Sequence, residues 1–296
     1  MTLPKQKLPQ VSIYLPTKNR STFLRRAIES VQRQTLPAFE LIVINDGSTD
    51  DTRALLSELA ATDTRIRPIH LDSSMGAPAA RNIAIDLARA FLITGLDDDD
   101  EFTPTRLAEL IGAFDTKYSL VCSGMIHDYG HWTKTALTSS LKITLFNELT
   151  QDQVGTQALI ITERLRSVGG FDTSLVAWQD YDLWVRLVRK YGPAKRIPRP
   201  LYIQHFDHPN VRITQNGAVG GRMFLNKHRE LMTADQVTRH ELEIFMLEGK
   251  ALNIRQLLGL SNPLTYRKAL RYFLTSNFPM FRKIMARLRS VLHRLF

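Results

Sequence analysis

Apolar runs and amphipathic stretches alternate along the first hundred residues of the chain. Short runs of aliphatic and β-branched residues predict buried strands, and apolar positions three and four residues apart predict helices between them. Alternation of this kind predicts a parallel sheet with right-handed crossovers, and hence an α/β fold. The predicted strands are residues 11–15, 41–44, 66–71 and 91–96, and the predicted helices are residues 21–35, a helix capped by Ser48 or Thr49, residues 77–88, and a helix from Pro104 to about Phe114.

The middle of the chain has a weaker pattern. Residues 120–125 predict one more strand, but residues 126–160 have no clean period and no element is assigned to them. A short helix is expected over residues 161–168, because the Gly169-Gly170 pair is typical of a helix end. Residues 180–190 predict a further helix with one apolar side. No linker interrupts this pattern before about residue 230, which predicts a first domain of residues 1–230 and a helical extension of residues 231–296.

The C-terminal part of the chain is predicted to be helical and basic. A helix is expected from Pro263 to Leu274, and residues 281–295 carry apolar side chains at the spacing of one helix face. The basic side chains of that segment fall mainly on the other faces. A basic amphipathic helix of this kind can lie on an anionic membrane surface. Packing on the protein's own core and a dimer contact are the alternatives.

Charge is distributed unevenly over the 296 residues. The chain has 39 Lys+Arg and 29 Asp+Glu, a formal net charge of +10, but every acidic residue lies at or before Glu248. Ten Lys/Arg follow Glu248, so the first 248 residues are formally neutral. Because a neutral body with acidic clusters repels a phosphate backbone, the excess charge favours a membrane-binding tail over a nucleic-acid-binding protein.

Composition narrows the class of protein further. The chain is 44% hydrophobic and 23% charged, which are the values of a globular protein. The single cysteine, Cys122, excludes an internal disulfide and fits a reducing cytoplasm. We expect no signal peptide, because residues 1–10 lack an apolar segment. We also expect no membrane-spanning helix, because no apolar run reaches about 18–20 residues.

Five consecutive acidic residues, from Asp97 to Glu101, follow the fourth predicted strand and precede a helix. Ligands of open α/β sheets bind at the carboxyl ends of strands. Crowded carboxylates repel one another and need a cation or water, and oxygen-only ligands suit Mg²⁺ or Mn²⁺. An acidic run by itself is more often a solvated loop that caps a helix. The position between a strand and a helix is what favours a metal site here.

Two further polar segments are ambiguous when each is taken alone. Residues 45–51 (NDGSTDD) follow the second strand and are typical of a turn with a helix cap. Asp180 precedes an amphipathic helix, where an aspartate is usually an N-cap, and Trp184 is at a position typical of a core residue. The chain has neither the G-x-G-x-x-G nor the P-loop pattern, which disfavours a Rossmann dehydrogenase and a P-loop ATPase.

Taken together and in order, five motifs resemble those of family 2 glycosyltransferases with the GT-A fold. The resemblance runs from Val11 to about His208, some two-thirds of the chain. It implies a Rossmann-like, mostly parallel sheet flanked by helices, followed by a helical C-terminal extension. The motifs are residues 11–20 (VSIYLPTKNR), 39–50 (FELIVINDGSTD), 76–82 (GAPAARN), 96–100 (LDDDD) with Pro104, and 169–172 (GGFD) with 179–184 (QDYDLW).

The resemblance implies three groups of site residues. The donor nucleotide would be bound by residues that follow the first four strands: Pro16, Thr17, Arg20, Asp46, Arg81 and Asp98. A Mn²⁺ or Mg²⁺ ion would be held by Asp99, with His205 and His208 as further candidates. The acceptor side would be formed by Trp178 and Gln179, next to Asp180 as the general base.

Individual roles also follow from the resemblance. Asp46 would accept a hydrogen bond from the base, typically uracil, and Arg81 would face the base or the diphosphate. Asp98 would meet the ribose or the sugar. The family usually has Glu-Asp where this chain has Gln179-Asp180, so the base is retained while the preceding carboxylate is lost.

The activity implied by the resemblance is inverting transfer of a sugar from a nucleotide diphosphate sugar, typically a UDP-sugar. The acceptor would be a hydroxyl of a glycan or lipid-linked saccharide, and a β-linkage would form in the synthesis of lipopolysaccharide, O-antigen or capsule. The expected location is cytoplasmic, peripheral on the inner membrane. Three alternatives stay open: transfer to a polyprenyl phosphate, nucleic-acid binding, and an inactive homologue, which the retention of Asp98, Asp99 and Asp180 disfavours.

Overall fold

The structure is a computed structural model that describes residues 8–207, 216–260 and 262–278. These residues form two compact units. The first comprises residues 8–175 and 179–207, and the second comprises residues 176–178, 216–260 and 262–278. The division falls earlier than the predicted boundary near residue 230, because the helix Gly217–His228 belongs to the second unit.

Strands and helices alternate through the first unit. The strands are β1 (Val11–Thr17), β2 (Phe39–Asn45), β3 (Ile66–His70), β4 (Leu92–Gly95), β5 (Glu101–Phe102), β6 (Leu120–Asp128), β7 (Thr133–Ala136), β8 (Leu141–Ile143), β9 (Leu159–Ile161) and β10 (Ala194–His205). The helices are α1 (Ser21–Gln32), α2 (Thr52–Thr62), α3 (Ala77–Leu87), α4 (Arg106–Gly112), α5 (Leu145–Thr150), α6 (Thr162–Ser167) and α7 (Gln179–Tyr191).

All ten strands belong to one sheet. The strand order is β3-β2-β1-β4-β9-β6-β10-β5, with β7 beside β6 and β8 beside β10. The four strands predicted in the first hundred residues pair in parallel, as do β6 and β10. The remaining pairs are antiparallel, because β9 runs against both β4 and β6 and the short β5, β7 and β8 run against their neighbours. The α/β fold predicted from the sequence is confirmed.

Helices cover both faces of this sheet. Val11, Ile13 and Leu15 of β1 pack into one apolar cluster with α1, α2 and α4, whereas Tyr14 packs into another with α3, α6 and α7. Successive side chains of a strand point to opposite faces of a sheet. The central strands are therefore buried on both faces, which explains their continuous apolar sequences.

Two helix starts differ from the prediction. The helix expected to be capped by Ser48 or Thr49 begins only at Thr52, with Asp51 as its N-cap, and Asp50 Oδ1 accepts a hydrogen bond from Thr52 N at 3.1 Å. Ser48 Oγ instead accepts a hydrogen bond from Asn19 N at 2.9 Å. The helix expected from Pro104 begins at Arg106, after a turn in which the backbone nitrogen of Arg106 donates to Thr103 at 3.1 Å.

The second unit is helical. Its helices are α8 (Gly217–His228), α9 (Ala234–Leu247), α10 (Ile254–Leu258) and α11 (Pro263–Asn277). The last of these confirms the helix predicted from Pro263, whereas the amphipathic helix predicted over residues 281–295 lies outside the described residues. In the parts of the chain that the structure describes, every helix is too short or too polar to cross a membrane.

Candidate active site

The acidic segment after β4 forms a tight turn. The backbone nitrogen of Asp100 donates to the carbonyl oxygen of Asp97 at 3.1 Å, which puts Asp98 and Asp99 at the two central positions. We call residues 97–100 the acidic turn. It lies at the carboxyl ends of the parallel strands, the edge at which open α/β sheets bind ligands.

Asp98 and Asp99 both contact Arg20. Arg20 Nη1 donates to Asp98 Oδ1 at 3.0 Å and to Asp99 Oδ2 at 2.8 Å. Thr17 Oγ1 donates to Asp98 Oδ2 at 2.8 Å and so ties the end of β1 to the acidic turn. Burial raises the pKa of Asp98 to about 6, although Arg20 opposes this shift. The Asp99 side chain stays 29% exposed, so its carboxylate is accessible to a ligand.

Asp97 faces a second arginine. Arg81 Nη2 donates to Asp97 Oδ1 at 2.8 Å, and its guanidinium lies 5.1 Å from the centre of the Phe171 ring. Gln157 Nε2 donates to the same Asp97 oxygen at 3.4 Å. Burial lowers the pKa of Arg81, but Asp97 and then Asp180 raise it by more, so this buried guanidinium is always charged.

Asp180 lies in the first turn of α7, one residue inside the helix, and is therefore not the N-cap. Its Oδ1 atom is buried and has no hydrogen-bond partner among the described residues. Burial raises the pKa of Asp180 to about 7; Arg81 lowers this pKa, while Asp97 and Asp152 raise it. A carboxyl group with a pKa near neutral pH can both accept and release a proton, as a general base must.

Strand β10 holds the far end of the acidic turn. Tyr202 OH donates to Asp100 Oδ2 at 2.9 Å, and the backbone nitrogen of His205 donates to Asp100 Oδ1 at 3.0 Å. The His205 ring lies between two carboxylates, with Nε2 2.9 Å from Glu101 and Nδ1 3.4 Å from Asp128. The structure thus places His205 beside the acidic turn, with both ring nitrogens near carboxylate oxygens.

Asp46, at the end of β2, organises the loop that leads into α3. Its carboxylate accepts hydrogen bonds from Ser74 Oγ at 2.6 Å, Met75 N at 2.6 Å and Gly76 N at 3.0 Å. Its own backbone nitrogen donates to Thr17 O at 2.9 Å. Asp46 therefore adjoins the end of β1 and fixes the start of the helix that carries Arg81. Its contact with a nucleotide base stays a prediction.

Comparison with known proteins decides the family. Residues 12–169, more than half of the chain, match the sequence model described as Glycosyl transferase family 2. The chain belongs to this family.

Curated relatives agree with this family 2 assignment. The chain is 34% identical over 264 residues to the putative colanic acid biosynthesis glycosyl transferase WcaA of Escherichia coli (strain K12), covering 85% of this chain and 93% of that protein. It is 30% identical over 223 residues to a chondroitin synthase of Escherichia coli. That match covers 70% of this chain but only 31% of the synthase, so the chain spans about a third of the synthase's length.

Solved structures show that this family 2 glycosyltransferase has the GT-A fold. S. aureus TarS 1-349 in complex with UDP-GlcNAc superposes with a TM-score of 0.63 at 16% identity, covering 96% of this chain and 86% of that chain. The mannosyltransferase PcManGT from Pyrobaculum calidifontis, in complex with GDP-Man and Mn²⁺, superposes with a TM-score of 0.60 at 18% identity. That match covers 97% of this chain and 81% of that chain. At these identities the similarity shows the fold.

The acidic turn of this glycosyltransferase offers oxygen ligands for a divalent cation. Burial raises the pKa of Asp100, and the charges of Asp97 and Asp99 raise it further, which shows how strongly these carboxylates repel one another. A divalent cation relieves such repulsion, and carboxylate oxygens are ligands that Mg²⁺ and Mn²⁺ prefer. Asp99 is the accessible carboxylate of the turn, but among the described residues no three His, Cys, Asp or Glu side chains are grouped so as to hold a metal ion. A metal ion at Asp99 therefore stays a prediction. His208 lies outside the described residues.

Gln179 and Trp178, the predicted acceptor residues, have separate surroundings. Gln179 Nε2 donates to the backbone oxygen of Leu175 at 2.8 Å. An ionised glutamate has no proton for this bond, which gives a local reason for glutamine where the family usually has glutamate. Trp178 belongs to the second unit, where its ring centre lies 5.5 Å from that of Phe224 and 5.9 Å from that of His240. An acceptor role for either residue stays a prediction.

Tyr14 and Gln157 form a buried pair behind Asp97 that the sequence analysis did not identify. Tyr14 OH donates to Gln157 Oε1 at 2.7 Å, and both side chains are nearly inaccessible to solvent. Tyr14 stands in an apolar run, where an aromatic residue is typical of a core position. Gln157 lies in the stretch of residues 126–160 that has no period. Neither residue therefore had a signal that could have identified it.

Gly95→Ala is expected to disrupt this pair and destabilise the protein. A Cβ atom at position 95 would lie 2.2 Å from both the Tyr14 ring and Gln157 Oε1. Overpacking a core in this way costs about 1–3 kcal/mol, so the midpoint of urea unfolding falls. Gly112→Ala is the control, because a Cβ there meets nothing within 4 Å. Equal midpoints for Gly95→Ala and the wild type would contradict this packing.

Proposed function

We propose that this family 2 glycosyltransferase is an inverting enzyme that transfers a sugar from a UDP-sugar to a hydroxyl of a glycan or lipid-linked saccharide. The observation that carries the proposal is the buried Oδ1 atom of Asp180, which has no hydrogen-bond partner among the described residues. A buried carboxylate oxygen without a donor is costly to maintain, and an acceptor hydroxyl would supply the missing donor. Asp180 is therefore assigned as the general base.

Donor binding is assigned to the carboxyl ends of β1, β2 and β4. Two arginines stand there beside the acidic turn, Arg20 against Asp98 and Asp99 and Arg81 against Asp97, and their charges suit a diphosphate. The TarS structure in complex with UDP-GlcNAc supports a uridine nucleotide. The proposed nucleotide-sugar residues are Pro16, Thr17, Arg20, Asp46, Arg81 and Asp98.

Transfer is proposed to proceed in one displacement. The acceptor oxygen attacks the anomeric carbon on the side opposite the diphosphate, and a new carbon–oxygen bond forms as the bond to UDP breaks. The bonding pair leaves with UDP, and the hydroxyl proton passes to Asp180. A positioned general base is worth about 10²–10⁴ in rate. Because a single displacement inverts the anomeric carbon, an α-linked donor yields a β-linkage.

A Mn²⁺ or Mg²⁺ ion bound with the donor is assigned to Asp99, with His205 and His208 as further candidate ligands. A divalent cation stabilises the negative charge that develops on a leaving diphosphate. The PcManGT complex with GDP-Man and Mn²⁺ supports this class of ion. Arg20, which contacts both Asp98 and Asp99, adds positive charge at the same edge of the sheet.

A bacterial cell-surface polysaccharide, such as lipopolysaccharide, O-antigen or capsule, is the proposed product. The relative named for colanic acid biosynthesis, which matches 85% of this chain, supports this class of product. The segment after Glu248, which has ten Lys/Arg and no acidic residue, would hold the enzyme on the cytoplasmic face of the inner membrane through anionic lipids. Each basic residue near such a surface contributes about 1 kcal/mol of attraction.

A panel of UDP-, GDP- and dTDP-sugars with Mn²⁺ tests the proposed donor. We expect a UDP-sugar to raise the Tm of the protein and to release UDP rapidly once a lipid-linked saccharide acceptor is added. Stabilisation by GDP- or dTDP-sugars without any effect of UDP-sugars would overturn the choice of nucleotide. If no nucleotide sugar stabilises the protein, the proposed function is wrong.

The raised pKa of Asp180 predicts how the rate depends on pH. A base acts only when ionised, so kcat/KM for the acceptor rises with pH and levels off above an apparent pKa near 7. Initial rates measured between about pH 5.5 and about pH 8.5 give this rise of kcat/KM with pH. Saturating donor removes any contribution from donor binding, which Asp98 affects with its own pKa of about 6. A flat profile would exclude Asp180 as the base.

A further inference from the structure

Tyr202 joins the two ends of the acidic turn through one hydroxyl group. Its oxygen accepts a hydrogen bond from the backbone nitrogen of Asp97 at 3.3 Å and donates to Asp100 Oδ2 at 2.9 Å. Asp98 and Asp99 lie between these two residues. A bond to both ends of the turn therefore restricts the conformation of the part that carries Asp98 and Asp99.

The pairing of β5 with β10 places Tyr202 at this position. These antiparallel strands set Tyr202 opposite Phe102 and Ile203 opposite Glu101, directly after the acidic turn. The backbone nitrogen of His205, further along β10, donates to Asp100 Oδ1 at 3.0 Å. Strand β10 thus holds the acidic turn by its backbone as well as by the Tyr202 hydroxyl.

A fully buried arginine lies against the ring of Tyr202. The Arg106 side chain is 0% exposed, and its guanidinium lies 5.2 Å from the Tyr202 ring centre and 4.8 Å from that of Phe102. Among the described residues it forms no ion pair; its hydrogen bonds go to Ser123 Oγ at 2.8 Å and Gln157 O at 3.2 Å. Burying a cation without a counter-ion is costly, so a position that required only packing would be better filled by an apolar side chain.

Arg106 also reaches the acidic turn by a second route. Gln157, whose carbonyl oxygen accepts the Arg106 hydrogen bond, donates from its side chain to Asp97 Oδ1 at 3.4 Å. Arg106 therefore contacts both Tyr202 and Gln157, and each of these residues bonds to Asp97. Its planar, forked guanidinium therefore contacts both of the residues, Tyr202 and Gln157, that bond to Asp97 of the acidic turn.

We propose that Tyr202 and Arg106 are positioning residues that hold the acidic turn in the conformation that presents Asp98 and Asp99 to the donor. This inference rests on the proposed function, which assigns the donor to those two carboxylates. The side chains of Tyr202 and Arg106 are 1% and 0% exposed, so both act on the donor through the turn.

Tyr202→Phe tests this proposal, because it removes the hydroxyl and keeps the ring against Arg106. We expect faster hydrogen exchange of the amides of residues 97–100 and roughly tenfold weaker binding of UDP with Mn²⁺, since the hydroxyl that bonds both ends of the acidic turn is lost. Tyr191→Phe is the matched control. Tyr191 is the last residue of α7, and its hydroxyl forms a hydrogen bond with Ser167, not with the acidic turn. Exchange mass spectrometry and calorimetry give the two readouts.

Two results would overturn the proposal. One is unchanged hydrogen exchange of residues 97–100 in folded Tyr202→Phe protein. The other is a lower Tm of Tyr202→Phe without any weakening of UDP binding, which is what a purely structural role of Tyr202 would give.

The Arg106 variants provide a second test. Arg106→Met is expected to speed hydrogen exchange in residues 97–100, and Arg106→Lys is expected to speed it less. If Arg106→Met does not fold, the hydrogen exchange and UDP binding of Tyr202→Phe still test the proposal. If the wild type binds no UDP, the proposed function fails, while the exchange comparison still tests the positioning of the turn.

Discussion

Asp180→Asn is expected to bind a UDP-sugar as tightly as the wild type and to transfer the sugar about 10²–10⁴ times more slowly. The amide has nearly the shape of the carboxyl group but cannot take the proton of the acceptor hydroxyl. Calorimetric binding of UDP with Mn²⁺ and single-turnover transfer rates measure the two quantities separately. Near-normal transfer by this variant would exclude Asp180 as the general base.

The pH dependence of stability provides the control for folding. Burial raises the folded-state pKa of Asp180 from 3.8 to about 7, so folding favours its protonated form. The stability that this protonated group contributes is complete below its unfolded pKa and is lost as the pH rises through about 7. Asp180→Asn is therefore expected to have a higher Tm than the wild type above pH 7, with a smaller difference in acid. A slow variant with a lower Tm at every pH would instead indicate a folding defect.

Asp99→Ala is expected to abolish the effect of Mn²⁺ on nucleotide binding. In the wild type we expect Mn²⁺ to tighten UDP binding at least about tenfold, because a divalent cation held by Asp99 would offset the negative charge of the diphosphate. Without the metal, the variant is expected to bind UDP as well as the wild type or better, since a carboxylate beside a diphosphate repels it. Calorimetric titration of UDP with and without Mn²⁺ measures both effects.

Asp115→Ala is the matched control for that experiment. Asp115 is an aspartate away from the acidic turn and pairs with Lys117 at 2.7 Å. We expect its Mn²⁺ dependence to equal that of the wild type. Retention of the full Mn²⁺ effect in Asp99→Ala would exclude Asp99 as the metal ligand. Loss of the effect in both variants would show that it does not depend on the acidic turn.

The first half of the sheet could be predicted from the sequence because its physical cause is local. A strand buried on both faces is a continuous apolar run, and polar residues follow it where it ends. Polar residues at Thr17, at Asp46 and in the acidic turn therefore indicate in the sequence where β1, β2 and β4 end. In the second half only β6 was predicted, over residues 120–125. The strands β7, β8 and β9 are only three or four residues long, and Pro198 and Pro200 interrupt the pattern of β10.

The carboxylates of the candidate site were identified from the sequence, but their supporting residues were not. Asp98, Asp99 and Asp180 stand in ordered motifs that resemble a family. Tyr202, Gln157 and Arg106 have no such signal, because their role depends on strand pairing and burial that bring together residues far apart in the chain. The predicted cap of α2 was wrong because Ser48 Oγ bonds the backbone nitrogen of Asn19 instead, and the N-cap of the helix is Asp51.

The anomeric configuration of the product tests the central claim, a single displacement assisted by Asp180. The enzyme is supplied with the α-linked UDP-sugar that the donor panel identifies and with its acceptor, and the new linkage is read from the anomeric proton by NMR. A β-linkage is the predicted result, because one in-line attack inverts the anomeric carbon. An α-linkage would contradict the mechanism, because retention of configuration requires a different chemical course at that carbon.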